Sequence, residues 1–290
     1  MPRQTPRAVH ESGRMLAKVP EITALFWVMK VLTTGMGEAM SDFLGSVSVP
    51  LAGLIGIGGM WFALRLQLRA REYKAPVYWF VVMMVAIFGT MAADGLHDGA
   101  SLGYPVTTTL YGLLVAATFL AWYRSEGTLS IHSIDTPRRE RYYWAAVLGT
   151  FALGTAAGDL TATTLHLGFL DSALLFAGLI ALPAVAWWRR ALDPIACFWI
   201  AYVLTRPLGA SFADWFGKPA SISGLGVGDG TVSGIALVVF IALVAWVAVR
   251  KPDIQRAPAP SAFEPAAGEP ARSRAAAPIG LESLVASELD

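Results

Sequence analysis

Cysteine is nearly absent: Cys197 is the single one in 290 residues, so no internal disulfide can form and the redox compartment is not legible from it. Phosphate-cradling loops of the form G-x-x-x-x-G-K-[ST] are missing, so ATP is not expected as a direct driver. No H-E-x-x-H motif occurs, nor any paired nucleophile and base, and an enzyme is not expected. Neither a cofactor nor a nucleic-acid partner is expected. The first twenty residues lack the charged-then-apolar layout of a cleavable signal, so insertion is expected to use the first span. Charge is scarce as well, at 15% of residues, and the net charge of +1 implies nothing about partners because the signs are segregated along the chain.

What is present is apolar. Hydrophobic residues make up 55% of the chain and the mean hydropathy is +0.54, which points to an integral membrane protein with the bilayer as its main partner. A helix needs about 20 residues to cross roughly 30 Å of hydrocarbon. Eight stretches qualify: 22–44, 51–68, 77–96, 106–123, 143–165, 172–188, 195–216 and 232–249. With eight spans, 19 of the 22 Lys and Arg fall on one side, in the segment before the first span, in the second, fourth and sixth connections, and in the tail. The positive-inside rule then predicts a multi-pass protein of the inner (cytoplasmic) membrane with both termini cytoplasmic. Residues 1–17 read as a cytoplasmic segment and 18–250 as the membrane domain. Residues 251–290, rich in Ala, Pro and Glu, read as a disordered tail with a weak amphipathic stretch over 279–289. A homo-oligomer is left open.

The odd-numbered spans share one pattern. Trp27 and Asp42, Trp79 and Asp94, Trp144 and Asp159, and Trp199 and Asp214 are each fifteen residues apart, and Gly37, Gly89, Gly154 and Gly209 precede each aspartate by five. The chain therefore reads as four two-helix repeats, about 20–70, 75–124, 140–190 and 194–250. Two spans per repeat make all four point the same way. The predicted fold class is all-α, a polytopic bundle of eight transmembrane helices in four parallel repeats with approximate fourfold or twofold symmetry about the membrane normal. These repeats, with "KVPEITALFWVMKVLTTGMGEAMSDFL" and "EGTLSIHSIDTPRRERYYW", resemble a bacterial membrane-protein family known as a repeat of unknown function. The resemblance covers about 18–250; it implies the topology and no particular activity.

Helical rise of about 1.5 Å per residue separates each tryptophan from its aspartate by roughly 22 Å. On one reading the tryptophans are interface anchors and the aspartates end helices by bonding nearby amides. On the other, the glycines break the helices locally and a ring of four aspartates binds a cation or a proton. Glu38 and Asp42 share a helical face and repel when both are ionised, so a cation must compensate. Arg206 is the candidate counter-ion, Lys30 is expected to snorkel toward the cytoplasmic interface, and Lys218 falls in an outer connection. His97, Asp98 and His166 lie beyond the aspartates and are candidate metal ligands; carboxylates with one or two imidazoles suit Mn²⁺, Fe²⁺, Zn²⁺ or protons. The loop over 126–143 carries His132, Asp135, Arg138 and Arg139, either a gate or partner surface or a solvated basic loop.

The leading functional expectation is a transporter, coupling protons to export of a divalent metal cation such as Mn²⁺, with Glu38, Asp42, Asp94, Asp159 and Asp214 as binding or coupling groups. The alternative is a non-transporting membrane sensor or assembly component whose aspartates are structural.

Overall fold

The computed structural model describes residues 18–253. The expectations for 1–17, for the tail from residue 254 and for the amphipathic stretch over 279–289 lie outside the described residues. Eight long helices follow one another: α1 (Ala24–Val47), α2 (Val49–Arg69), α3 (Ala75–Asp94), α4 (Tyr104–Glu126), α5 (Pro137–Asp159), α6 (Gly168–Trp188), α7 (Pro194–Gly217) and α8 (Asp229–Arg250). No strand occurs among the described residues.

Helix starts are written locally. Thr23 Oγ1 accepts the Phe26 amide at 3.3 Å, Thr136 Oγ1 accepts the Arg139 amide at 3.3 Å, and Asp193 Oδ2 accepts the amides of Ile195 and Ala196 at 2.9 and 3.1 Å. Each satisfies amides that the first helical turn leaves without a partner. Proline follows at the first or second position of α2, α3, α4, α5 and α7, where its missing N–H costs nothing. Gly127, at φ 69°, ends α4 in the left-handed conformation that a side chain would resist.

Among the described residues, seven helices, α2 to α8, are long and apolar enough to cross a membrane. The eighth, α1, has 24 residues and carries Lys30, Glu38 and Asp42. Lys30 and Glu38 are buried inside the protein and Asp42 is half-buried, so the charged face of α1 is turned toward its neighbours.

The odd helices form the centre. α1 packs against α3, α3 against α5, α5 against α7, and α7 against α1, which closes a ring. Each even helix lies outside against the next odd one: α2 on α3, α4 on α5, α6 on α7, and α8 on α1. Between 50% and 67% of the apolar core of α3, α5 and α7 is buried, against 17% to 28% for the even helices, which leaves the outer layer to face lipid.

The four repeat glycines are the contact points of this ring. A Cβ on Gly37 would fall 2.3 Å from Ala86 Cβ, on Gly89 2.7 Å from Phe151 Cβ, on Gly154 2.3 Å from Arg206 Cγ, and on Gly209 1.8 Å from Thr34 Oγ1. Every partner lies three residues before the glycine of the next repeat, so the same step is made four times around the axis. This corrects the expectation of helix breaks: α1, α3, α5 and α7 run unbroken through their glycines, which are used for close backbone approach.

The tryptophans also differ from the anchor reading. Trp79, Trp144 and Trp199 are 1%, 4% and 5% exposed, and only Trp27 is half-buried. Each follows an aromatic residue, and the pairs Phe26–Trp27, Tyr78–Trp79, Tyr143–Trp144 and Phe198–Trp199 meet edge-on with centroids 5.4, 5.3, 5.0 and 5.1 Å apart. Eight rings from four repeats thus fill one end of the bundle, because burying so much aromatic area outweighs placing indoles at an interface.

Candidate functional site

Between the aromatic end and the aspartates the axis is closed by a polar layer. The residue after each repeat glycine is Glu38, Thr90, Thr155 or Ala210, and the residue three before the last glycine is Arg206. Arg206 is fully buried. Its Nη2 donates to Glu38 Oε2 at 2.6 Å, to Thr155 Oγ1 at 2.6 Å and to Thr90 Oγ1, while Nη1 donates to Thr34 O at 2.9 Å. The hydroxyls of Thr90 and Thr155 also approach Glu38 Oε2, at 3.1 and 3.3 Å. One repeat supplies the cation, a second the carboxylate and the other two the hydroxyls. Such a pair is stable in a dry interior only because hydrogen bonds satisfy most of its remaining polar atoms.

About one turn further along lie Asp42, Asp94, Asp159 and Asp214. Glu38, Asp42 and Asp214 each place a carboxylate oxygen within 4.8 Å of the others, the one such acidic group among the described residues. Asp214 is 4% exposed, and its carboxylate accepts no hydrogen bond from the described residues. Asp94 and Asp159 are half-buried and are the last α-helical residues of α3 and α5; each chain then widens into a π-helical turn, Gly95–Gly99 and Leu160–Thr164. Neither side chain caps that turn, so Asp94 and Asp159 do not follow the reading in which the aspartates bond nearby amides. Single π-turns recur at functional positions.

Lys218, the first residue after α7, closes the group from outside. Its Nζ lies 2.6 Å from Asp42 Oδ2 and 3.3 Å from Asp229 Oδ2. Burial alone would lower the pKa of this amine; Asp42, Asp214 and Asp229 together outweigh it and hold the ammonium charged well above the usual lysine range. Both acids of the Glu38–Asp42 pair therefore face fixed cations, Arg206 for Glu38 and Lys218 for Asp42.

The imidazole candidates stay outside. His97 Nδ1 bonds Leu102 O at 2.7 Å and its ring stacks on Tyr104 at 3.8 Å, so the side chain is used to pin its own turn. Asp98 is 80% exposed at 3.9 Å from His97 Nε2, and His166 is exposed at φ 55°. None of the three joins Glu38, Asp42 and Asp214, which leaves a donor set made of oxygen alone.

Lys30 does not snorkel. It is 1% exposed, with Nζ 3.9 Å from the Phe151 ring centroid and 4.2 Å from that of Tyr202, and it has no hydrogen-bond partner. Its position on the ring-facing side of α1 leaves no route to an interface, and two aromatic faces take the place of water.

The opposite end is tied shut by the segment before α1. Lys18 Nζ meets Glu140 Oε2 at 2.6 Å with both side chains buried, Gln67 Nε2 donates to Glu140 Oε1 at 3.2 Å, and Glu21 N donates to Asp253 O at 2.8 Å. Tyr73 donates to Asp253 as well. In the loop over 126–143, Arg139 bridges Glu126 at 3.0 Å and Asp135 at 3.2 Å, Arg138 lies 3.3 Å from Glu126, and His132 lies 4.0 Å from Glu21. A cavity of about 680 Å³ at this end, between α1, α6 and α7, is walled by Trp27, Pro183, Trp187 and Phe198 and does not reach the carboxylates.

The sequence reading missed Thr90, Thr155 and Thr34. The signal for them is present: numbered from the repeat glycine, Thr90 and Thr155 occupy the position of Glu38, and Thr34 that of Arg206.

A repeat described as Repeat of Unknown Function (DUF347) matches the chain three times, over residues 77–128, 142–192 and 197–252. No curated protein and no solved structure matches it.

Proposed function

Since the chain belongs to the DUF347 family of repeats, we propose that it is a multi-pass transporter of the cytoplasmic membrane that couples protons to export of a hard divalent cation such as Mn²⁺. The observation that carries this reading is the convergence of Glu38, Asp42 and Asp214, with oxygens within 4.8 Å of one another, on the axis of a closed helix ring. Oxygens on opposite sides of an ion bound at about 2.0–2.6 Å are at most about 5 Å apart, so the group matches one coordination sphere. Oxygen donors without thiolate or imidazole favour Mg²⁺, Ca²⁺ and Mn²⁺ over softer ions. Carboxylates inside a membrane bundle also bind protons, which gives coupling by competition at one site. The cation bias of the even connections supports cytoplasmic termini.

One observation favours the second reading, a non-transporting membrane component. Arg206 and Lys218 already neutralise Glu38 and Asp42, as fixed structural ion pairs would. Flux separates the two. Purified protein in sealed liposomes, assayed with a panel of Mg²⁺, Ca²⁺, Mn²⁺ and Zn²⁺ under an imposed proton gradient, moves Mn²⁺ above the rate of empty vesicles if the transporter reading holds. No flux of any ion in either direction would leave the structural reading.

A further inference from the structure

Six carboxylates, Glu38, Asp42, Asp94, Asp159, Asp214 and Asp229, surround or border the acidic group, and two fixed cations, Arg206 and Lys218, face them. The two cations are held in different ways. Arg206 is fully buried and its guanidinium is locked by four hydrogen bonds that it donates to the other three central helices, α1, α3 and α5. Lys218 is 24% exposed at the edge of the group and its ammonium pairs with Asp42 and Asp229. A guanidinium fork is preorganised on its acceptors, whereas an ammonium on a four-carbon stem is a mobile point charge.

The loop that carries Lys218 fixes its backbone, while its side chain is held by Asp42 and Asp229 alone among the described residues. Lys218 N donates to Asp214 O at 2.8 Å and Lys218 O accepts Gly226 N at 2.8 Å. The returning segment of the loop bonds the end of α7, through Leu225 N to Trp215 O at 2.6 Å, Val227 N to Phe216 O at 3.0 Å and Gly228 N to Gly217 O at 3.1 Å. A Cβ on Gly217 would fall 2.1 Å from Asp229 Oδ1, so Asp229 is pressed against the helix end beside the ammonium. A second observation points to a ligand. Asp214 is 4% exposed and its carboxylate accepts no hydrogen bond from the described residues, and Asp229 Oδ1 is buried without a partner. Buried carboxylate oxygens are rarely left so. The lysine is also specific to one repeat: four residues after the aspartate, the other three carry Ser46, Asp98 and Thr163.

We propose that the Lys218 ammonium is a tethered stand-in for the transported cation, pairing with Asp42 and Asp229 while the site holds no ion and being displaced outward when a divalent cation binds Glu38, Asp42 and Asp214. This rests on the cation-transport reading above. Displacement keeps the site from being left with bare carboxylates and weakens the cation by the strength of the pairing it must break, which aids release.

The test is equilibrium Mn²⁺ binding to the purified full chain in nanodiscs at fixed ionic strength, read by the electron paramagnetic resonance signal of free Mn²⁺. Lys218→Met removes the competitor and should tighten Mn²⁺ binding on the order of tenfold, while Lys218→Arg keeps the charge and stays close to wild type. A second reading uses the wild-type chain: acylation of Lys218, followed by mass spectrometry, should speed up several-fold at saturating Mn²⁺. This arm decides the matter if Lys218→Met does not fold. Wild-type binding with Lys218→Met equal or weaker, or Mn²⁺ that protects Lys218 from acylation, overturns the displacement and leaves the cation site standing. Absence of Mn²⁺ binding to wild type and variant alike overturns both.

Discussion

Replacing Arg206 by Met keeps an unbranched apolar stem and removes the guanidinium donors from the polar layer. Glu38, 3% exposed, then keeps only the Thr90 and Thr155 hydroxyls, at 3.1 and 3.3 Å, and loses a charged partner at 2.6 Å. Stranding one member of a buried ion pair costs about 3–5 kcal/mol. Glu38→Gln strands the guanidinium instead, although Thr34 O and two hydroxyls still accept from it, so its cost falls toward the lower end of that range. The double variant Arg206→Met with Glu38→Gln removes both charges, and replacing a buried pair by neutral groups is close to neutral in energy. The layer therefore predicts a coupling energy of about 3 kcal/mol between the two positions, far above the ~1 kcal/mol typical of exposed pairs. Reversible unfolding in mixed detergent micelles, run on wild type, both single variants and the double, gives the cycle. A cost below about 1 kcal/mol for Arg206→Met, or a double variant no better than the sum of the singles, would refute the claim that this pair is dry and mutually dependent.

The glycine ring makes a contrasting prediction. Gly37→Ala and Gly209→Ala force a methyl into backbone or Thr34 and should destabilise by about 1–3 kcal/mol, whereas Gly53→Ala in α2, where an added Cβ meets nothing within 4 Å, should stabilise by up to about 1 kcal/mol; thermal unfolding of the three variants checks the sign. At the opposite end, burial pushes the Asp253 carboxyl above its ordinary value despite the hydrogen bond from Tyr73. A raised acid contributes stability that is complete below the unfolded value near 3.9 and lost as pH rises through the folded value. Asp253→Asn should therefore gain in melting temperature over wild type as pH goes from about 4 to 7, and a constant difference across that range would contradict the assignment.

Most of the architecture was legible because it is written in register. Fifteen residues from tryptophan to aspartate, repeated four times, is enough to predict parallel two-helix units, and the lengths of the apolar stretches predict eight helices. The ring closure was not legible, because a glycine five residues before an aspartate signals a helix break as readily as a close contact. Only the four-step pattern of Gly37 on Ala86, Gly89 on Phe151, Gly154 on Arg206 and Gly209 on Thr34 decides between them. Lys30 was misread for the same reason. Hydropathy places it near a membrane end, and nothing local says that its face of α1 is turned toward Phe151 and Tyr202. At the site, the repeat predicts a ring of four aspartates, of which Asp42 and Asp214 join Glu38 in one group while Asp94 and Asp159 do not; the use of His97 by its own turn was not legible, since a histidine beside an acid has the same sequence signature as a ligand and as a packed side chain. Lys218 stood out only as a cation on the wrong side of the charge bias, and its partners come from α1 and α8, 176 and 11 residues away.

The central claim is that the axial carboxylates bind and move a divalent cation, and Asp214 is the member whose carboxylate makes no ion pair or hydrogen bond of its own among the described residues. The most direct measurement is Mn²⁺ flux in proteoliposomes under a fixed proton gradient, comparing wild type with Asp214→Asn, which keeps the size and removes the charge. The account predicts flux in wild type and its loss in Asp214→Asn, with both proteins folded to the same melting temperature within a few degrees. Equal flux in the two proteins would contradict it.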